Sequence, residues 1–195
     1  MSPEFVAADR YFVDQLIRPV ANLYRISANG APVAFVRQKR FALKEDIRFF
    51  ADDAERDELF RLKARQVLDV GGRYDVATPD GQIVGTLEKV FGRSLLRSTW
   101  RILDPTGAVL AVAEERSMPL AILRRVIDFV PYGDLVPILF HFTIRTEDGR
   151  ALGELTRRFG FRDRYDLDLT GDADREIDRR VAIALAIALD ALQSR

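Results

Sequence analysis

Residues 178–195 read DRRVAIALAIALDALQSR. From Val181 to Leu189 every residue is apolar, with large and small side chains in alternation. Alternation alone would also fit a strand with one alanine face. Composition decides for helix, because alanine and leucine are strong helix formers and alanine is depleted in strands. Asp172 is placed to cap the start, and Asp174 and Glu176 fall near the positive end of the dipole. The expected helix runs from about Ala173 to Gln193, roughly 30 Å at 1.5 Å per residue. On it, Val181, Ile183, Leu185, Ile187, Leu189 and Leu192 spread around the whole circumference. A helix apolar on all sides is buried in protein or in a membrane. Nine consecutive apolar residues fall short of the ~20 that a membrane span takes. Something else in the chain must therefore surround this helix.

The surroundings are written in a fourfold pattern. YRISANGAPVA from Tyr24, YDVATPDGQIVG from Tyr74, WRILDPTGAVLA from Trp100 and FTIRTEDGRALG from Phe142 share it. Each has an aromatic residue, an aliphatic two positions on (Ile26, Val76, Ile102, Ile144) and a turn glycine (Gly30, Gly81, Gly107, Gly149). Three residues past the glycine stands another aliphatic (Val33, Val84, Leu110, Leu152), then a small residue (Ala34, Gly85, Ala111, Gly153). Glycine takes positive φ without steric cost, and Asn-Gly and Asp-Gly are turn chemistry, so each copy reads as a β-hairpin. The loops look longer than two residues, which favours a type I turn closed by a glycine bulge. The flanks alternate with period two. YFVDQLI, EDIRFFA, ELFRLKARQV and RYDLDLT add further strands, bringing the count to about twelve and the class to an all-β barrel or sandwich. Two beyond each small residue stands an uncharged one, Val36, Leu87, Ala113 or Leu155. That face is expected to line the interior, with the small residues leaving room for the helix. The reading is one mainly-β domain over residues 1–195, a closed barrel enclosing an apolar C-terminal helix. Within it, Leu120, Leu123, Ile127 and Val130 follow Pro119 with helical spacing and predict a second, short amphipathic helix.

An apolar terminal helix threaded through a β-barrel resembles the tubby C-terminal-like superfamily, which includes tubby domains, phospholipid scramblases and LURP-one-related proteins. The likeness is nearest to LURP-one-related proteins and their bacterial members, and runs from about Tyr11 to the end. It is carried by NLYRISANG, LFRLKARQVLDVGGRYDV, GTLEKVFGRSLLRSTWRILD and GDLVPILFHFTI. The resemblance implies a twelve-stranded barrel around a central C-terminal helix. Tubby domains bind phosphoinositide head groups through basic residues, none of which transfers position by position to this chain. Scramblase-like proteins attach to membranes through features such as acylated cysteines, and this chain has no cysteine.

Composition narrows the function classes. Lys+Arg and Asp+Glu are 30 each over 195 residues, so the basic excess expected of a nucleic-acid binder is missing. Without cysteine there is no disulfide framework and no thiolate metal site. A single histidine, His141, leaves little for a histidine-rich metal site or a Ser-His-Asp triad. Pro119–Phe142 is apolar but interrupted by Arg124, Arg125, Asp128 and Asp134, so no transmembrane segment is expected. The opening MSPEFVAADRYF lacks the basic start and apolar run of a signal peptide, which makes the cytoplasm the expected location. Neither a catalytic motif nor a cofactor site is expected.

One constellation points to a ligand. Arg61, Lys63 and Arg65 alternate, so on a strand all three point the same way. Arg37 and Lys39 do the same on another strand. Such a face is suited to phosphate groups through charge-assisted hydrogen bonds, and an anionic membrane surface is one partner of that kind. The competing reading is a solvated face balanced by acidic neighbours, which DDAERDE at 52–58 supplies; charge runs are usually of this sort. Gly71–Gly72 reads as a strand corner, since no P-loop lysine follows. DRYDLDLTGDAD lacks the spacing of a calcium loop. Asp166 and Asp168 read as charges on one strand face. The expectation is a non-enzymatic binding or scaffold module with a protein or lipid partner. The alternative is a peripheral membrane protein that recognises anionic phospholipid.

Overall fold

A computed structural model describes residues 2–16, 21–39, 46–65, 72–90, 98–116, 141–158 and 163–193. The predicted amphipathic helix after Pro119 lies outside these residues. The described chain opens with a short helix, α1 (Pro3–Ala7). The strands are β1 (Arg10–Leu16), β2 (Ala21–Ala28), β3 (Ala31–Lys39), β4 (Asp46–Phe50), β5 (Glu58–Ala64) and β6 (Arg73–Ala77). They continue as β7 (Ile83–Lys89), β8 (Thr99–Leu103), β9 (Val109–Glu115), β10 (His141–Arg145), β11 (Ala151–Arg158) and β12 (Arg164–Asp168). A second helix, α2 (Arg179–Gln193), ends the described chain. Each strand pairs antiparallel with its neighbours in sequence, and β1 pairs with β12 to close a twelve-stranded barrel.

The fourfold repeat is four hairpins: β2–β3, β6–β7, β8–β9 and β10–β11. In each, the repeat aliphatic faces the small residue across the ladder: Ile26 with Ala34, Val76 with Gly85, Ile102 with Ala111, Ile144 with Gly153. The register then slips by one, so Val33, Val84, Leu110 and Leu152 are the extra residues of four equivalent bulges, which increase local twist. The turn glycines all have positive φ, from +82° to +93°. Three loops close as expected, with Gly81, Gly107 and Gly149 donating to Thr78, Asp104 and Thr146. The first differs. Ala28 pairs with Ala31, so Asn29-Gly30 forms a two-residue loop with both φ positive, a type I′ turn.

α2 passes through the barrel. Val181–Leu189 and Ala191 are buried, and so are Val36, Leu87, Ala113 and Leu155 on the inward faces of the strands. Gly85 shows how close the wall comes: a Cβ there would stand 2.7 Å from Val181 Cγ2. Gly153, in the same repeat position, is kept small by the wall itself, since its Cβ would meet the Asp168 carbonyl oxygen.

The helix starts later than expected, at Arg179 instead of about Ala173. Asp172 does cap backbone, but in the loop before the helix: its carboxylate accepts from Glu176 N at 2.8 Å and Ile177 N at 3.2 Å. Arg175 adopts φ +55°, which breaks any helix there, and Ile177 turns into the core. Asp178 is the true cap, accepting from Arg180 N at 2.8 Å. Asp174 and Glu176 consequently lie outside the helix dipole.

At the end where α2 enters, α1 covers the opening. Phe5 is buried edge-on against Phe60, and Tyr11 donates to the Phe5 carbonyl at 2.5 Å. Burial pushes the Tyr11 hydroxyl up to about 12. Arg179, itself buried, bonds Asp172 at 2.6 Å, Asp9 at 2.8 Å and the Ala8 carbonyl at 3.2 Å. Arg175 donates to the Val6 and Ala7 carbonyls.

The buried aliphatics of α2 from Val181 to Leu189 contribute roughly 8–15 kcal/mol gross at ~1.5–3 kcal/mol each. Whole-domain stability is only ~5–15 kcal/mol. Deleting residues 173–195, or placing a charge at the axis with Ala186→Asp, is expected to give unfolded or insoluble protein. A truncated protein that stays soluble and melts cooperatively near the wild-type temperature would show the helix to be dispensable. A finer probe is Gly85→Ala, expected to cost about 1–3 kcal/mol by overpacking. Val181→Ala should recover part of that in a double-mutant cycle, whereas additive losses would place the strain elsewhere.

Candidate functional site

β5 carries Arg61, Lys63 and Arg65, the last just past its end, between the inward Phe60, Leu62 and Ala64. All three line one outward hollow of about 350 Å³, together with Asp75, Ala77, Gly81 and Ile83. Ile83 is one of two large aliphatics exposed among the described residues, at 38%. Arg37 joins from two strands away, through the register Arg37–Arg48–Arg61 across β3, β4 and β5. It does not line the hollow. Lys39 stands on β3 opposite Ala21, and its side chain lies outside the described part. Arg48 was not singled out in the sequence, yet it is the middle of this row.

The row is threaded with carboxylates. Glu55 accepts from Arg37 at 2.7 Å, Glu58 from Arg61 at 2.6 Å, and Asp46 from Arg48 at 3.2 Å. Asp75 holds Arg65 through both oxygens at 2.8 Å. Glu55 and Glu58 belong to DDAERDE, so this acidic run does supply partners to the basic strands. Lys63 differs: it is exposed, faces Asp46 and Asp75 across the ladder, and makes no ion pair among the described residues.

A polar cluster that sequence reasoning missed lies inside the barrel, where α2 ends. Asp190, mostly buried, accepts hydrogen bonds from Tyr24 Oη at 2.5 Å and from Tyr165 Oη. Burial raises the Asp190 carboxyl above its ordinary range, against the two tyrosine hydrogen bonds that pull it down. Burial and the adjacent Asp190 push both tyrosine hydroxyls well above theirs. Asp163 and Arg157, paired with each other, also bear on Asp190. Near the same end Trp100, the single tryptophan, is fully buried beside Tyr74, with the Lys89 ammonium 5.9 Å from its ring. A lone Asp in an apolar helix was the one available signal.

The remaining candidates take structural places. His141 Nε2 lies 2.9 Å from Glu154 without hydrogen-bond geometry, and Nδ1 is 3.4 Å from Thr156 Oγ1. Asp166 pairs with Arg158 and Asp168 with Arg10. Gly71 is outside the described residues; Gly72 has φ +54° and accepts from Lys89 N at 3.0 Å. Among the described residues no group of three or more His, Cys, Asp or Glu is placed to hold a metal ion.

A closed twelve-stranded barrel filled by its terminal helix is now in hand, and a family model for LURP-one-related proteins matches residues 33–190. The chain belongs to the LURP-one-related family. The match spans β3 to the last turn of α2, so this LURP-one-related unit comprises most of the barrel wall and the helix inside it. No curated protein matches the chain. Among the described residues no helix is long and apolar enough to cross a membrane.

The raised Asp190 carboxyl has a signed consequence. Its stabilising contribution is fully present below the ordinary carboxylate value near 3.9 and is lost as pH rises through the elevated native value. Asp190→Asn removes this titration. The stability of the variant relative to wild type is expected to increase with pH above ~4, read from urea melts at several pH values. Parallel stability profiles would contradict the assignment.

Proposed function

We propose that this protein is a non-enzymatic, cytoplasmic binding or scaffold module whose ligand docks on the outer wall of the barrel. One observation carries the reading: the barrel interior, where many barrels hold a small molecule, is occupied by α2. The partner is unidentified. Membership of the LURP-one-related family and the absence of a catalytic motif in the sequence agree with a binding role.

A second reading has its own support. Three of the five basic residues singled out in the sequence line one hollow, Lys63 makes no ion pair among the described residues, and Ile83 stands exposed on the same rim. A cationic hollow edged by an aliphatic side chain suits a lipid surface with anionic head groups. On this reading the protein is a peripheral membrane protein that binds anionic phospholipid through Arg61, Lys63 and Arg65, with Arg37 and Lys39 flanking.

Co-sedimentation with vesicles separates the two. Binding to phosphatidylserine-containing vesicles at low salt, weakened by salt and abolished by Arg61→Glu with Lys63→Glu, would support the lipid reading. Lys63 is exposed, and its substitution is expected to change stability by less than ~0.5 kcal/mol; Arg61 is half-buried against Glu58, so a thermal melt of the variant establishes that it is folded. Wild-type protein that ignores anionic vesicles at low salt removes the lipid reading and leaves the binding module with another partner. A ligand that raises the melting temperature by linkage and is recovered chemically unchanged supports the module; one recovered altered defeats the non-enzymatic assignment.

A further inference from the structure

Another hollow lies elsewhere on the wall, about 690 Å³ between β9 and β10, lined by Val112, Glu114, Arg116, Thr143, Arg145 and Glu147 among others. Its charges are unusual for this molecule. Most outward arginines of the barrel lie against a carboxylate, as Arg61 does against Glu58 and Arg73 against Glu88. Arg116 and Arg145 have no acidic partner among the described residues; Arg145 donates only to the Gly149 carbonyl, at 3.2 Å. Glu114 and Glu147 likewise carry no ion pair there, and all four side chains belong to exposed residues.

The register orders these charges. Arg145 sits opposite Val112, and Glu114 opposite Thr143, two residues along. Arg116 donates its backbone N–H to the His141 carbonyl at 2.8 Å, two residues further. Glu147 lies two residues beyond Arg145 in the other direction, in the hairpin turn. Along the strands the order of charges is therefore minus, plus, minus, plus; Arg145, Glu114 and Arg116 follow at steps of about 6.8 Å for two strand residues, and Glu147 stands beyond Arg145 in the turn. A strip with this order is its own complement under a two-fold axis that lies in the interface and crosses the strands, which brings facing charges to within one strand spacing, about 4.8 Å, of each other. Reversed on itself, it sets Glu147 against Arg116 and Arg145 against Glu114, each pair occurring twice. Cyclic two-fold association needs this kind of self-complementary patch.

We infer that this face is a self-association surface and that its occupant is a second copy of the chain, paired antiparallel through these four residues. The hollow lets the long arginine side chains of one copy enter the other. Exposed ion pairs are individually weak, so the dimer is weak and salt-sensitive, of the transient class with a small interface. The cationic hollow spans β5 to β7 and is separated from β9 by β8, so the two faces are distinct.

Light scattering or sedimentation equilibrium tests this on the full chain. At ~10 mM salt, where charges are felt over ~30 Å, the mass is expected to approach two chains at high protein concentration. At ~1 M, with a ~3 Å screening length, it returns to one. Arg145→Glu, and separately Glu114→Arg, should leave a monomer at low salt with a wild-type melting curve. The double swap Arg145→Glu with Glu114→Arg should restore the dimer. A wild-type mass of one chain at low salt overturns the inference, as does a dimer indifferent to the single swaps or a double swap that fails to restore it.

Discussion

Width is the constraint on which this structure rests. Eight strands enclose a space that side chains can just fill, and the diameter grows with strand number. Twelve strands leave a space that inward side chains cannot close, and a dry void there would forfeit dispersion contacts along its whole lining. α2 is the filling. Its alternation of large and small apolar residues, unhelpful for an amphipathic surface helix, presents both bulk and clearance in every direction. Gly85 meeting Val181 is one point where wall and filling have been fitted to each other. The polarity is the reverse of a membrane-spanning barrel, whose apolar band faces outward and whose lumen is polar. Here the interior is apolar save for polar anchors at the two ends of the helix, and arginines and carboxylates line the outside.

The polar anchors of α2 are placed with respect to the barrel's closure. Eleven of the twelve strand pairings join neighbours in sequence; β1 with β12 joins the ends of the chain. Loop-closure entropy makes this the most demanding contact to form. Arg179, at the start of α2, binds Asp9 just before β1 and Asp172 just after β12. Asp190, near the other end, binds Tyr165 on β12 and Tyr24 on β2, the two strands that flank β1. The helix therefore fills the barrel by packing and ties its seam by hydrogen bonds at both ends. Breaking the buried Asp172–Arg179 pair would expose the cost of an uncompensated buried charge, about 3–5 kcal/mol for such pairs.

The strands, the hairpins and the buried helix were legible because each rests on local signals: turn glycines, period-two flanks, and a helix with no polar side. The late start of α2 was not legible. Asp172 looks like a helix cap in the sequence and does cap backbone, but what ends the preceding loop is the left-handed Arg175 and the pull of the core on Ile177. The Asp190 cluster was invisible for a different reason. Tyr24 is 166 residues away from Asp190, and only the closed barrel brings them together. The basic residues of β5 were readable as one face, since alternation sets direction. Their partners were readable only as a nearby acidic run; that Glu58 takes Arg61 on the same strand depends on the bulge between them at Leu59, and that Glu55 takes Arg37 depends on the pairing of β3, β4 and β5.

A barrel that fills its interior with its own helix presents its wall to a partner, and the state of the charges on that wall then matters more than their number. An anion approaching Arg61 or Arg65 competes with Glu58 or Asp75, which already hold the guanidinium groups at hydrogen-bond distance. Displacing them costs the carboxylate its partner, so a singly charged ligand gains little over the pair it breaks. Among the described residues Lys63 stands outside this competition, and so do Arg116 and Arg145 further round the wall. Where a wall is otherwise neutralised pair by pair, such uncompensated charges set the long-range field that a partner meets first. The neutral total of 30 basic and 30 acidic residues therefore conceals a wall on which, among the described residues, a few charges are left out of the pairing.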